Sequence, residues 1–395
     1  MSDGVTAGTR VARLETMLFR APCAPVRTSF GVMHDRPALL VRVEDDEGAF
    51  GWGEVWCNFP PCGAEHRAEL LRTLVTPALY GQAAADPAAT WASLTQRFAV
   101  LALQSGEPGP LAHVMSAVDQ ALWDLAARRA GLPLWRLLID SRGKCPHDVS
   151  REVHGDVHRE VPVYASGIGP DAALDTALAQ QAAGHIAFKL KVGFDAQADE
   201  RRLANLRREL RAPAVLMVDA NQGWRPELAA ANCQALAVHG LAWIEEPIPV
   251  DQPTLAWQRL AAVAGAPLAG GENLIGHAAF DDALRAGALS VLQPDLAKWG
   301  GVSGCLTVAR QALAAGRRYC PHFLGAGIGL AMSAHVLAAA GGDGLLEIDV
   351  NPNPLRDLLS GGLSPVRAGR VRLPDVPGYG HPPDLSALRE FAVNR

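Results

Sequence analysis

Six side chains that can hold a metal ion or move a proton recur at a nearly constant interval through the middle of the chain. They are Asp219, Glu245, Glu272, Asp295, His322 and Glu347, with gaps of 26, 27, 23, 27 and 25 residues. Each lies at the end of a short apolar run, in LMVDAN, AWIEEP, LAGGEN, VLQPD, YCPHF and LLEID. Three carboxylates from successive runs offer hard oxygen donors that suit Mg2+ and leave places for water and substrate oxygens. A single one of them reads equally well as a helix cap, where Asp is favoured. Three in register point to a shared rim. Asp295, one interval before His322, suits a pair in which the carboxylate fixes the imidazole tautomer and leaves the other ring nitrogen for proton transfer.

A second pattern is Lys189-Leu190-Lys191, closing HIAFKLKVG. Alternate residues of a strand point the same way, so both ammonium groups share one side. With Leu190 packed under helices, the lysines face a barrel interior beside the carboxylates. A lysine among other cations, partly desolvated, is expected to have a lowered pKa and to serve as a base. The Glu245-Glu246 pair is ambiguous: strand alternation puts them on opposite sides, and the spacing does not choose between them. Asn221 and Ser166 offer polar contacts at the rim or serve as local turn-formers. In GWGEVWCNFPP, Trp52, Trp56, Asn58 and Phe59 either cover a substrate or pack one domain on another.

Residues placed this way need a repeating scaffold. A strand of about 5–6 residues, a helix of about 11–12 and two short connections give a unit of roughly the observed interval. From Val161 onward, eight short apolar runs alternate with alanine-rich helical stretches at 171–183, 196–210, 226–239, 252–264, 277–286, 302–315 and 329–340. That alternation predicts a parallel (β/α) barrel with its chemistry at the carboxyl ends of the strands. Before it, strand-like runs between Arg10 and Glu54 with a turn at EDDEG read as an antiparallel meander. Helical patterns follow at 64–79, 87–103 and 110–130, the last stopped by Gly131 and Pro133. We therefore expect an α+β capping domain over 1–135, a barrel over 136–350, and a Pro- and Gly-rich tail over 351–395 that packs back on the cap.

The bulk properties narrow the classes. A chain of 395 residues accommodates a barrel plus a second domain. Its net charge of −5, from 36 basic and 41 acidic residues, is too mild and mixed to indicate nucleic acid or a membrane surface as a partner. MSDGVTAGTR carries no apolar stretch, so no signal peptide is expected, and no run is long enough to span a bilayer. Seven cysteines without a CxxC pair fit reduced thiols in a cytoplasmic protein.

Taken together, these residues resemble the enolase superfamily, and within it the mandelate racemase subgroup. The resemblance covers nearly the whole chain and rests on Lys189-x-Lys191, Asp219, Glu245, Glu272, Asp295, His322 and Glu347, with ALWDLAARRAGLPLWRLL similar to the family's cap-to-barrel passage. It implies the modified barrel fold and Mg2+ on Asp219, Glu245 and Glu272, the first Glu of EEP being the ligand. It implies that a base removes the proton α to a substrate carboxylate, giving an enediolate. Lys191 would be that base, with Lys189 on the carboxylate and lowering its neighbour's pKa. His322, oriented by Asp295, would stand on the opposite face, and Glu347 would donate a hydrogen bond as a neutral or proton-sharing acid. The subgroup's members imply dehydration of a sugar acid, with racemisation of a 2-hydroxy acid as the alternative, and a homo-oligomeric assembly. An inactive barrel serving as an assembly subunit would lack this set of reactive groups. The polarity of Arg27, Thr28, Ser29 and His34 suits a polyhydroxylated acid, and Asn58 is a further candidate contact.

Overall fold

The computed structural model describes residues 9–27, 31–140 and 159–393. Thr28 and Ser29, and the side chain of Arg27, lie outside what is described. Strands β1 (Val11–Arg27) and β2 (Val32–Asp45) form a long antiparallel hairpin, and β3 (Phe50–Val55) pairs with β2. The β2–β3 turn is EDDEG, where Asp45 Oδ1 accepts from the amides of Glu47 and Ala49. The helix Pro108–Arg129 crosses this sheet and buries Val114, Ala117, Val118, Ala121, Leu122 and Leu125. Its approach depends on glycine: a Cβ on Gly53 would lie 2.0 Å from the Ala117 carbonyl oxygen. The expected helix at 64–79 contains a π-turn at Leu71–Val75. Pro77, which has no N–H to offer, lies two residues beyond it and interrupts the regular hydrogen-bond ladder.

The second region is a curled parallel sheet. Its strands are β4 (Glu160–Ile168), β5 (Ala187–Lys191), β6 (Val215–Asp219), β7 (Ile244–Glu245), β8 (Leu268–Gly270), β9 (Val291–Leu292), β10 (Arg318–Tyr319) and β11 (Leu346–Asp349). They pair in chain order from β4 to β10, and β11 returns to β4. Helices intervene, from Ala173–Ala182 after β4 to Gly327–Ala340 before β11. The short β12 (Arg370–Arg372) runs antiparallel on the start of β4. The barrel is modified as expected: among the described strands no ladder joins β10 to β11. Pro321 removes a donor just after β10, and the seam is spanned by the Leu345 amide donating to Cys320 Sγ at 3.4 Å. Inside the sheet, Tyr164, Met217, Trp243, Ala269, Val291 and Cys320 form an apolar floor.

The tail returns to the first region. Leu134 N–H donates to the Gly378 carbonyl at 2.8 Å, Tyr379 N–H to Asp124 at 2.8 Å, and Val393 N–H to the Leu18 carbonyl at 3.0 Å. Among the described residues no helix is long and apolar enough to cross a membrane.

Candidate active site

Strand register brings three of the singled-out residues abreast. Lys191 on β5 pairs with Asp219 on β6, and Asp219 pairs with Glu245 on β7. Lys189, two residues earlier and so on the same side as Lys191, is fully buried above the ring of Tyr164. Its Nζ lies 2.6 Å from Glu245, 2.8 Å from Glu347 and 3.6 Å from Asp219. Lys191 Nζ lies 2.5 Å from Asp219 and donates to Asn221 Oδ1 at 2.8 Å. Glu347, on β11 beside β4, accepts from Ser166 Oγ and from the Phe323 amide at 3.3 Å.

His322 follows β10. Its Nδ1 is 2.7 Å from Asp295, whose other oxygen accepts from the amides of Ala297 and Lys298. Its Nε2 faces Glu272 in close contact. Glu272 Oε1 also accepts from Asn273, and Lys298 Nζ stands 3.6 Å from Oε2. Glu245 and Glu246 diverge, as alternation requires. Glu245 takes Lys189, Trp243 Nε1 and Gln293 Nε2, whereas Glu246 accepts from Asn273 and Gln222. Three non-glycine residues here have left-handed backbone, Asn221 at φ 42°, Gln222 at φ 63° and Glu246 at φ 37°. Such conformations cost of order 1–3 kcal/mol each and persist where surrounding bonds dictate them.

The charges in this buried volume do not balance. Six carboxylates (Asp219, Glu245, Glu246, Glu272, Asp295 and Glu347) face Lys189, Lys191, Lys298 and His322. Burial, and then the charge of Asp219, pushes the Glu245 carboxyl up to about 7. Burial with Glu272 and Asp219 pushes Glu246 up to about 8. Burial opposes charge on His322 as well, but Glu272, Glu347 and Asp295 outweigh it and raise the imidazole to about 10. Two expectations are corrected. Burial pulls Lys191 down, yet Asp219 and the carboxylates beyond it prevail over Lys189, so its pKa is raised. Glu347, despite its burial, is held down at about 2 by Lys189 and His322, a direction opposite to that expected of a neutral donor.

Among the described residues, no three His, Cys, Asp or Glu side chains are already drawn together as a metal cage. Asp219, Glu245 and Glu272 close instead on ammonium and imidazole nitrogens. The chemistry of the set still fits a divalent cation: the donors are hard carboxylate oxygens, and six acidic groups exceed the four basic ones by two charges. Beside them lies a cavity of about 450 Å³ between Trp56, Asn221, Gln222, Glu272, Asn273 and Lys298. Trp56 thus walls the cavity, with Lys298 Nζ 5.0 Å over its ring, while Trp52 is buried packing. The remaining candidates fall elsewhere. Asn58 donates to the Leu324 carbonyl at 2.6 Å and so braces the segment after His322. His34 is exposed on β2, because strand alternation buries its neighbour Met33. Lys298, Asn273 and Gln293 were not foreseen. Lys298 is signalled only by standing one helical turn after Asp295.

With this geometry in view, the chain matches the mandelate racemase / muconate lactonizing enzyme N-terminal domain over residues 13–138 and the enolase C-terminal domain-like family over residues 172–387. It belongs to the enolase superfamily. Within that superfamily it is a mandelate racemase-like enzyme. A mandelate racemase/muconate lactonizing enzyme structure from Bordetella bronchiseptica RB50 is 52% identical, with a TM-score of 0.88 over 97% of this chain and 99% of that one. A racemase from Streptomyces coelicolor A3(2) with bound magnesium is 30% identical, with a TM-score of 0.84 over 97% and 100%. The D-galactarolactone cycloisomerase of Agrobacterium fabrum is 32% identical over 92% of this chain and 94% of its own length.

Proposed function

We propose that this chain removes the proton α to the carboxylate of a sugar acid and then expels an oxygen from the β carbon. One observation carries the reading. Glu347 lies 2.8 Å from Lys189 Nζ and 3.9 Å from His322 Nε2, so the lysine pair of β5 and the imidazole after β10 face one volume. Asp219, Glu245 and Glu272 are the residues that would hold Mg2+, the metal bound in the similar Streptomyces racemase. Once held there, Mg2+ would draw electrons into the substrate carboxylate and relieve Lys191 of the hold of Asp219 on its proton.

Lys191, as the free amine, takes the α-proton, and the C–H electron pair moves into the carboxylate to give an enediolate. Lys189 beside it offsets the added charge. As the electrons return, the β C–O bond breaks, and His322 gives its Nε2 proton to the departing oxygen while Asp295 keeps the ring oriented. The enol product becomes a 2-keto acid. When the leaving oxygen is a hydroxyl the reaction is a dehydration. When it belongs to a ring, as the cycloisomerase relative suggests, the same elimination opens the ring and is an isomerisation. With no leaving group, His322 returns a proton to the opposite face and the outcome is racemisation. The scattered cysteines favour a cytoplasmic enzyme, and the family resemblance favours a homo-oligomer.

The test is a screen of mono- and dicarboxylic sugar acids and their lactones with Mg2+ in D2O, scored for 2-keto acid and for deuterium at the α carbon. We expect both on at least one acid. An active-site panel with no metal-dependent exchange on any of them would rule the reading out.

A further inference from the structure

We propose that Glu54, a first-domain residue on β3, is a positioning residue for His322 and acts by capping the helix that follows it. The inference rests on His322 being the proton donor of the proposed reaction. The segment after His322 is Phe323-Leu324-Gly325-Ala326, and it leads into the helix Gly327–Ala340. A helix start leaves amide hydrogens without partners inside the helix. Ala326, at the cap position, has no side chain able to accept them, and the first turn carries no acidic residue. The acceptor comes from the other domain. Glu54, 2% exposed, takes the Ala326 amide at 2.5 Å on one carboxylate oxygen and the Gly329 amide at 3.0 Å on the other. A carboxylate at this end also complements the helix dipole.

Each residue of the connecting segment is gripped from outside it. The Phe323 amide donates to Glu347, the Leu324 carbonyl accepts from Asn58, and the Gly325 carbonyl accepts from Asn353 at 3.0 Å. There is no slack to absorb a shift. A Cβ on Gly325 would lie 2.6 Å from Glu54 Oε1, and one on Gly329 would lie 2.2 Å from the Phe323 ring. Glu54 is itself fixed by Gln120, which accepts from its amide at 3.1 Å and donates to its carbonyl at 3.0 Å. The same Gln120 amide reaches the carbonyl of Leu296, the residue after Asp295, at 3.3 Å. One first-domain pair therefore brackets both members of the Asp295–His322 dyad. Lys191, on β5, takes its contacts from Asp219 and Asn221 instead.

This asymmetry defines the test. In the full-length Mg2+-loaded protein, 15N-labelled on histidine, the His322 ring signals are identified by their loss in His322→Asn. Glu54→Gln, which keeps one acceptor oxygen, is expected to move or broaden the His322 Nδ1 signal while the His335 signals stay in place. Asn58→Ala, a milder change, is expected to do the same to a smaller degree and serves if Glu54→Gln does not fold. With D-galactonate as probe, elimination should fall about tenfold to hundredfold in Glu54→Gln, the usual penalty for misplacing a reacting group by about an ångström. Exchange of the α-proton through Lys191 should stay within about twofold of wild type, whereas a merely structural defect would lower both equally. Unmoved His322 signals in folded Glu54→Gln, or equal losses in elimination and exchange, would overturn the proposal. Should wild type act on no sugar acid, the reaction assigned above fails, and the His322 signals still decide the positioning on their own.

Discussion

At Lys191 the distance to one neighbour decides the chemistry. With Asp219 at 2.5 Å the ammonium is favoured, so base activity depends on that carboxylate being engaged elsewhere. We expect Lys191→Ala to lose α-proton exchange on substrates of one configuration only, as followed by NMR in D2O. His322→Asn should abolish elimination yet retain exchange by Lys191, and full turnover in that variant would remove His322 from the donor's role. Glu272→Gln, which removes one of the candidate ligand charges, is expected to weaken Mn2+ binding by at least about tenfold, as read by EPR titration of free ion. The sequence placed these residues well, because register and period follow from strand alternation. It did not reveal that Lys191 sits against Asp219 and Glu347 against Lys189, contacts of a few ångströms that periodicity does not encode.

Among the elements, the helix Gly327–Ala340 is buried on nearly every side, and His335 is its link to two other segments. His335 Nδ1 accepts from the Trp135 amide at 3.0 Å, and Nε2 bonds the Tyr379 carbonyl at 3.0 Å. Only the neutral ring with its hydrogen on Nε2 satisfies both. Burial accordingly pushes the imidazole down to about 4, against an ordinary value of 6.5. The unfolded chain binds a proton near pH 6.5 that the native state refuses, so this contribution is complete above pH 6.5 and is lost as pH falls towards 4. The loss amounts to about 3 kcal/mol at the acid end. We expect melting temperature to drop between pH 7 and 4.5, and to drop less in His335→Gln, which cannot be charged. The helices were legible from spacing to within a few residues. The π-turn at Leu71–Val75 and the unpaired β10–β11 seam were not, since neither leaves a mark on the hydrophobic pattern.

Over the whole molecule, the two regions are joined by groups that no local pattern reveals. Arg36 on β2 is 2% exposed and pairs with Asp349 at the end of β11 at 2.9 Å, across 313 residues of sequence. Removing one member of a buried pair strands the other charge, at a cost of roughly 3–5 kcal/mol. Arg36→Met should therefore destabilise the protein by about that amount in urea unfolding, and Asp349→Leu added to it should recover much of the loss. A null effect for Arg36→Met would mean that water reaches the site.

The pairing of Val393 with Leu18 and of Ala392 with Phe19 has a consequence during synthesis. The first-domain sheet acquires this neighbour only after residues 392 and 393, which follow the barrel in the sequence, have left the ribosome. Until then Leu18 and Phe19 lack this cover, and that stretch of the β1 edge stays open to other partners while the barrel is translated.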